Sequence, residues 1–204
     1  MLNVVKLADE SSRFGSNSYL LMTDTHISVI DPSVSYQTAL SSVREISNLK
    51  SGFVILTHGH CDHIWEIESY VRVGFRVLVN LSDAEMLSDA YLNCSANLFR
   101  NPYKYSGKYE TVQDGQIIDI FGASLRVLST PGHTAGSVCY VGDGIAFTGD
   151  TLFANGGYGR YDLPTGNAEK LVSSLKKLFE LDENITIYPG HGSCSTLKQT
   201  KSFF

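Results

Sequence analysis

Short apolar runs separated by polar turns make up most of this chain. Three strand-like runs open it: Asn3 to Leu7, Ser18 to Met22 and Ile27 to Ile30. Ala39, Leu40, Val43 and Ile46 then share one face of a helix predicted from about Tyr36 to Ile46. Phe53 to Leu56 is continuously apolar, which suits a strand buried on both faces. After a polar His-Gly-His-Cys-Asp-His turn, Ile64, Ile67 and Val71 predict a helix over Asp62 to Val71. A strand over Arg76 to Val79 and a helix over Ser82 to Leu92, N-capped by Ser82, follow. Ser95 to Tyr109 is irregular and mixes Phe99, Tyr103, Tyr105 and Tyr109 with Arg100, Lys104 and Lys108. Strands resume at Ile117 to Ile120, Ser124 to Leu128, Val138 to Val141 and Ile145 to Thr148. An amphipathic helix over Asn167 to Leu181 precedes a last strand, Ile185 to Tyr188, ended by Pro189. Many strands interleaved with few helices predict two sheets covered by helices.

Composition narrows the function classes. A length of 204 residues fits one domain over 1–204, with 43% hydrophobic and 18% charged residues. A net charge of −5 argues against a broad nucleic-acid-binding surface. The longest apolar candidate, Tyr70 to Leu81, is interrupted by Arg72 and Arg76, so no membrane span is expected. The first twelve residues meet acidic and polar side chains before a signal-like apolar region forms, which points to a cytoplasmic protein. Cys61, Cys94, Cys139 and Cys194 are far apart and read as reduced thiols, not as a cysteine zinc site.

The histidines change the picture. His58, His60 and His63 fall in Thr57-His58-Gly59-His60-Cys61-Asp62-His63. In an extended turn, residues two apart point the same way, so His58 and His60 can grip one ion together. Asp62 and His63 enter a helix and can turn towards a second ion, while Gly59 lets the backbone bend between the two imidazoles. His133 and His191 each follow a Pro-Gly pair that stops a strand, in Thr130-Pro131-Gly132-His133 and Tyr188-Pro189-Gly190-His191. Either alone would read as a turn histidine; beside the first cluster, both read as ligands. Asp150 ends the run Ile145 to Thr148 after Gly149. An aspartate there is usually a cap or turn residue, but two nearby cations need a bridging anion, and Asp150 is the candidate. Cys61 lies inside the motif at a position whose sulfur is expected to point away.

These motifs resemble those of metallo-β-lactamase-fold hydrolases, and most of all the glyoxalase II-like (hydroxyacylglutathione hydrolase-like) proteins. Thr57 to His63 is similar to the family's HxHxDH signature, Thr130 to Ser137 to its second histidine motif, Thr148 to Phe153 to its bridging-aspartate motif, and Tyr188 to Gly192 to its last histidine motif. The resemblance implies an α/β fold, a four-layer αββα sandwich with the site at the rim. It implies His58, His60 and His133 on one metal, Asp62, His63 and His191 on the other, and Asp150 between them. The implied cofactors are two divalent ions, zinc first, with iron or manganese as alternatives. Water activated at that centre would attack a carbonyl, with Asp62 orienting the water or carrying its proton, so Asp62 and Asp150 are the catalytic candidates.

The expected partner is a small-molecule substrate, most specifically a thioester. The segment Thr151 to Asn167 resembles the family's stretch beside the substrate channel, which makes Arg160 and Tyr161, with Tyr158, substrate-binding candidates. Longer glyoxalase II enzymes carry a helical C-terminal domain that helps bind glutathione, whereas only a short segment follows His191 here. A glutathione thioester is therefore one candidate among several. Asp150, at a position where many β-lactamases of this fold have cysteine, argues against antibiotic hydrolysis. Alternatives are a lactonase or a mono-iron persulfide dioxygenase; the latter would use only His58, His133 and Asp150. A non-catalytic metal-binding module would leave the full ligand set unexplained. Oligomeric state is not encoded in any pattern found.

Overall fold

The computed structural model describes residues 2–7 and 15–204. The first sheet is built from β1 (Asn3–Leu7), β2 (Ser18–Met22), β3 (His26–Ile30), β4 (Lys50–Ile55), β5 (Arg76–Asn80) and β6 (Glu110–Val112), adjacent in that order. The second contains β7 (Ile117–Asp119), β8 (Ser124–Ser129), β9 (Val138–Gly142), β10 (Ile145–Gly149), β11 (Thr186–Pro189) and β12 (Ser195–Thr196), again adjacent in chain order.

Strand alternation sorts the apolar side chains into three layers. Tyr19, Leu21, Phe53 and Ile55 of the first sheet meet Val127, Val138, Tyr140 and Phe147 of the second in the central core. Their neighbours Leu20, Val54 and Leu56 point outwards and pack on Ala39, Ile67 and Tyr70. Those partners come from α1 (Tyr36–Ser42) and, after α2 (Cys61–Ile64), from α3 (Ile67–Val71). On the far side, Cys139, Ala146 and Ile187 pack on Leu175, Leu178 and Leu197. After the short α4 (Ser95–Leu98), these last come from α5 (Ala168–Phe179) and α6 (Leu197–Lys201). The result is the four-layer αββα sandwich. No helix among the described residues is long and apolar enough to cross a membrane.

Several sequence expectations need correction. The helix expected over Asp62 to Val71 is two pieces, α2 and α3, with Trp65 and Glu66 between them. That break lets α2 serve the histidine motif while α3 packs on the outer core. Ser82 to Leu92 does not form an α-helix: a 3-10 segment covers Leu81–Leu87, and Asn80, not Ser82, supplies the cap by accepting from the Ser82 amide. The Tyr36 to Ile46 helix ends at Ser42 and gives way to a 3-10 segment over Arg44–Asn48. β6, β12, α4 and α6 lack enough periodicity to have been read. His26 opens β3, the third strand of six, and stacks on Phe121, with ring centroids 3.6 Å apart.

Candidate metal centre

The site forms where strands end. β4 runs into Thr57-His58-Gly59-His60, β8 into the loop bearing His133, β10 into Asp150, and β11 into Gly190-His191. β10 and β11 are parallel, and β8 is separated from β10 by one antiparallel strand, so all three deliver their carboxyl ends to the same rim. The Val138 amide donates to the Thr57 carbonyl across 2.9 Å and the Tyr140 hydroxyl to Leu56 across 2.8 Å, which locks the two sheets together there. Gly59 is needed for a reason other than bending. Its φ is not positive, but a Cβ would lie 2.6 Å from that of Met86. Gly190 likewise admits no side chain, because its Cβ would collide with Asp150 Oδ1.

All seven predicted ligands converge. His60 Nδ1 and His58 Nε2 lie 2.8 and 3.3 Å from His133 Nε2. Beside this trio, Asp62 Oδ2 lies 3.4 Å from His63 Nε2 and 3.3 Å from His191 Nε2. Asp150 spans both groups: Oδ1 is 3.4 Å from His63 Nε2, while Oδ2 is 3.6 Å from His133 Nε2 and 3.5 Å from His191 Nε2.

Outer hydrogen bonds decide which ring nitrogen faces inwards. His133 Nδ1 donates to the Arg160 carbonyl, His191 Nδ1 to the Gly15 carbonyl, and His63 Nδ1 to Asp31 Oδ2. The Thr57 hydroxyl donates to Asp31, so its oxygen is free to accept from His58 Nδ1 at 3.0 Å. Four Nε2 atoms are therefore directed at the cluster, as ligation requires. His63 Nε2 and Asp150 Oδ1 are buried and have no hydrogen-bond partner. Buried polar atoms rarely stay unpaired, and a cation between these groups would satisfy both. The residues fit a metal centre.

The charges divide unevenly. Burial, reinforced by His63 and His133, pushes His58 well below its ordinary pKa, and burial with His133 lowers His60 to about 3. Burial opposes charge on His63 too, but Asp62, Asp150 and Asp31 outweigh it and hold His63 well above the ordinary value. His191, lowered by burial but raised more by hydrogen bonds to Asp150 and Asp62, reaches about 9. Burial disfavours the Asp62 and Asp150 carboxylates; the histidines, His63 foremost, overcome it and keep both below the usual range.

Two essential-looking carboxylates escaped the sequence reading. Asp31 ends β3 and is buried; besides His63 it accepts from the Thr57 amide and hydroxyl. Its oxygens could join a group with His58 and His63, but these bonds already occupy them, so Asp31 is a brace. Asp83, also buried, accepts from the Gly59 amide, the Thr134 hydroxyl and the Gly136 amide at 3.0, 2.7 and 2.6 Å. It joins the His58–His60 loop to the His133 loop. Neither sits in a local motif; only a polar residue just after an apolar run hinted at Asp31.

The predicted substrate residues separate. A cavity of about 420 Å³ opens over the cluster, and Tyr158 and Arg160 line it. Tyr161 does not; it lines a neighbouring groove. Arg160 is exposed and makes a bidentate pair with Asp162, at 2.9 and 2.8 Å. None of Phe99 to Tyr109 lines the cavity, although Leu98 does. That stretch is not merely a surface loop either: Tyr105 is buried in the outer core, and Tyr103 packs on Trp65. Cys61 lines the cavity with its thiol raised to about 12 by burial, and all four cysteines are free.

Comparison with known proteins agrees with this geometry. Over 196 residues the chain is 33% identical to the hydroxyacylglutathione hydrolase GloC of Haemophilus influenzae, covering 92% of this chain and 91% of that one. It is similar in structure to the B3 metallo-beta-lactamase BLEG-1, with a TM-score of 0.87, 26% identity, and coverage of 99% and 97%. It is also similar to TTHA1623 in a di-iron-bound form, with a TM-score of 0.81, 28% identity, and coverage of 98% and 96%. The pattern of the metallo-beta-lactamase superfamily matches residues 12–191, a span that contains every ligand candidate. With the four-layer fold and a histidine-aspartate cluster able to hold metal ions at its rim, this chain belongs to the metallo-beta-lactamase superfamily.

Proposed function

We propose that the protein is a two-metal hydrolase that attacks a carbonyl, with a thioester of the hydroxyacylglutathione type as its first-choice substrate. The observation that carries the reading is Asp150, whose carboxylate lies between the two histidine groups: Oδ1 is 3.4 Å from His63, and Oδ2 is 3.6 Å from His133 and 3.5 Å from His191. A carboxylate so placed offsets the repulsion between two cations held side by side. His58, His60 and His133 would hold one, and Asp62, His63 and His191 the other. Two divalent cations, when bound, supply water activation near neutral pH and polarisation of the carbonyl oxygen.

The chain's own groups do the rest. Asp62, which lines the cavity, can orient the attacking water and take its proton. Asp31 and Asp83 hold the ligands in register from behind. Arg160 and Tyr158 stand at the opening, where a substrate carboxylate can compete with Asp162 for the guanidinium. The similarity to GloC supports the thioester. BLEG-1 keeps a β-lactam in consideration despite the absence of cysteine at position 150. Zinc heads the choice of metal, and the di-iron neighbour supports iron as the first alternative. A persulfide dioxygenase would leave Asp62, His63 and His191 without a task, although they are as well assembled as the other trio. We place the protein in the cytoplasm, acting on a small molecule without nucleic acid or membrane.

The test combines metal analysis of the purified protein with rates on thioester, lactone and β-lactam substrates. Two ions per chain and fastest turnover of a thioester are expected. One iron per chain, with oxygen consumed on a persulfide, would overturn the reading.

A further inference from the structure

The cavity over the cluster is not the only hollow beside Tyr158. On the other side of this residue lies a groove of about 460 Å³, lined by Tyr161, Leu171, Val172, Leu175 and Phe179. Tyr158 lines both spaces, so the groove borders the mouth of the site.

The groove is apolar in a place where water should have been met by polar residues. α5 already buries one face, through Leu171, Leu175 and Leu178, against the second sheet. Val172 lies outside that face and is 53% exposed, yet it is apolar. Tyr158, Tyr161 and Phe204 join it, each between 46% and 59% exposed. Single exposed apolar residues are ordinary; a contiguous set beside a reactive site is the signature of a ligand surface.

We infer that this groove binds the apolar arm of the substrate, an acyl chain whose carbonyl sits at the histidine-aspartate cluster. The inference rests on the hydrolase reading and gives the acyl group of its thioester an apolar chain of medium length. Dimensions agree. From Val172 to Phe179 the helix rises ~10 Å, about the length of an extended chain of roughly eight carbons. Each methylene moved from water onto such a surface should improve binding by about two- to fourfold. Arg160 lies by the cluster, and Lys176 lines the outer groove, where its methylene stem can pack on the chain while its ammonium faces water.

The test is a series of acyl thioesters of one thiol, from acetyl to dodecanoyl, on the metal-loaded protein and its Val172→Glu variant. Within each protein the result is read as the ratio of octanoyl to acetyl kcat/KM, so that a general loss of activity cancels. The wild type should show a ratio on the order of a hundredfold or more, and Val172→Glu should reduce it at least tenfold. A flat series in the wild type, or an equal rise in the variant, overturns the inference. A second measurement separates this from failure of the hydrolase reading. A non-hydrolysable dodecyl thioether of the same thiol should shift the methyl resonances of Val172 and Leu175, whereas the ethyl analogue should not. If no thioester is hydrolysed but the shifts appear, the groove stands and the reaction is wrong. Absence of shifts, or sedimentation showing that Val172 is buried in a dimer of the chain, removes the groove as a substrate site.

Discussion

The two halves of the cluster are built differently. His58, His60 and His133 are 1–4% exposed, contain no carboxylate and are braced at the backbone by Asp83. Asp62, His63 and His191 include a carboxylate, open to the cavity through Asp62 and His191, and are braced at a side chain by Asp31. In the first half, burial and mutual repulsion hold His58 and His60 neutral. The second exists, before any metal arrives, as an ion-paired set. Burial thus prepares one half to ligate without losing protons, while the other must exchange protons for metal. Asp150 belongs to both, and this makes it the place to break the comparison.

Asp150→Asn should have the largest effect. It keeps the volume and removes the charge shared by both halves. Charge stabilisation worth several kcal/mol is at stake, so hydrolysis should fall by on the order of a thousandfold. Metal analysis should show fewer than two ions per chain, with the circular dichroism of the fold retained. Full activity in this variant would remove Asp150 from the bridging position.

Changing the two braces should separate the halves. The Gly59 and Gly136 amides bond to different oxygens of Asp83, so Asp83→Asn faces one of them with an amide donor, and Asp31→Asn weakens the partner of His63 Nδ1. Outer partners of this kind are worth about 10–100-fold in metal affinity. Cobalt titrations should show the first half weakened by Asp83→Asn and the second by Asp31→Asn. Equal losses at both halves in each variant would mean that the cluster behaves as one unit.

The pH dependence of the metal-free protein tests the charge contrast. His60 is lowered to about 3, so its contribution is present above the unfolded value of 6.5 and is lost as pH falls towards 3. His191 is raised to about 9, so its contribution is complete below 6.5 and is lost as pH rises through 9. Thermal or urea unfolding should therefore show greatest stability near pH 6.5 from this pair, falling on both sides. Metal should flatten the alkaline arm, since it replaces the proton between His191 and its carboxylates. Unchanged stability from pH 6.5 to 9 without metal would contradict the ion-paired second half.

The smallest effect is expected at Arg160. Its guanidinium is already paired with Asp162 in water, and exposed pairs contribute little. Arg160→Ala should raise KM for an anionic thioester by about two- to fivefold and leave a neutral one of similar size unchanged. Equal changes for both substrates would leave Arg160 as part of the rim, where its carbonyl still holds His133.

How much of this was legible depended on range. The ligand set could be read because His58, His60, Asp62 and His63 crowd into one motif, while His133, Asp150 and His191 each follow a strand end marked by glycine or by Pro-Gly, all local signals. α5 could be read because twelve residues give its 3.6-residue period room to appear. α2, α4 and α6 have four or five residues each, too few for a period, and their form is imposed by what they pack against.

By itself, the sequence indicated two sheets covered by helices and a set of ligand-type residues, since periodicity and motif spacing are properties of neighbouring residues; the four-layer order and the rim were implied by the resemblance those motifs carry. Tertiary structure alone decided the rest. Asp31 and Asp83 became braces only because folding brought them to Thr57 and His63, and to Gly59 and Gly136, across 24 to 53 positions of chain. Tyr158 and Arg160 were brought to the cavity over the cluster, whereas Tyr161, one position on, lines only the groove beside it. The histidines of one motif likewise acquired opposite charge preferences, His60 with no carboxylate bonded to it and His63 beside three. Burial and long-range electrostatic partners are properties of packed space, and no window of sequence contains them.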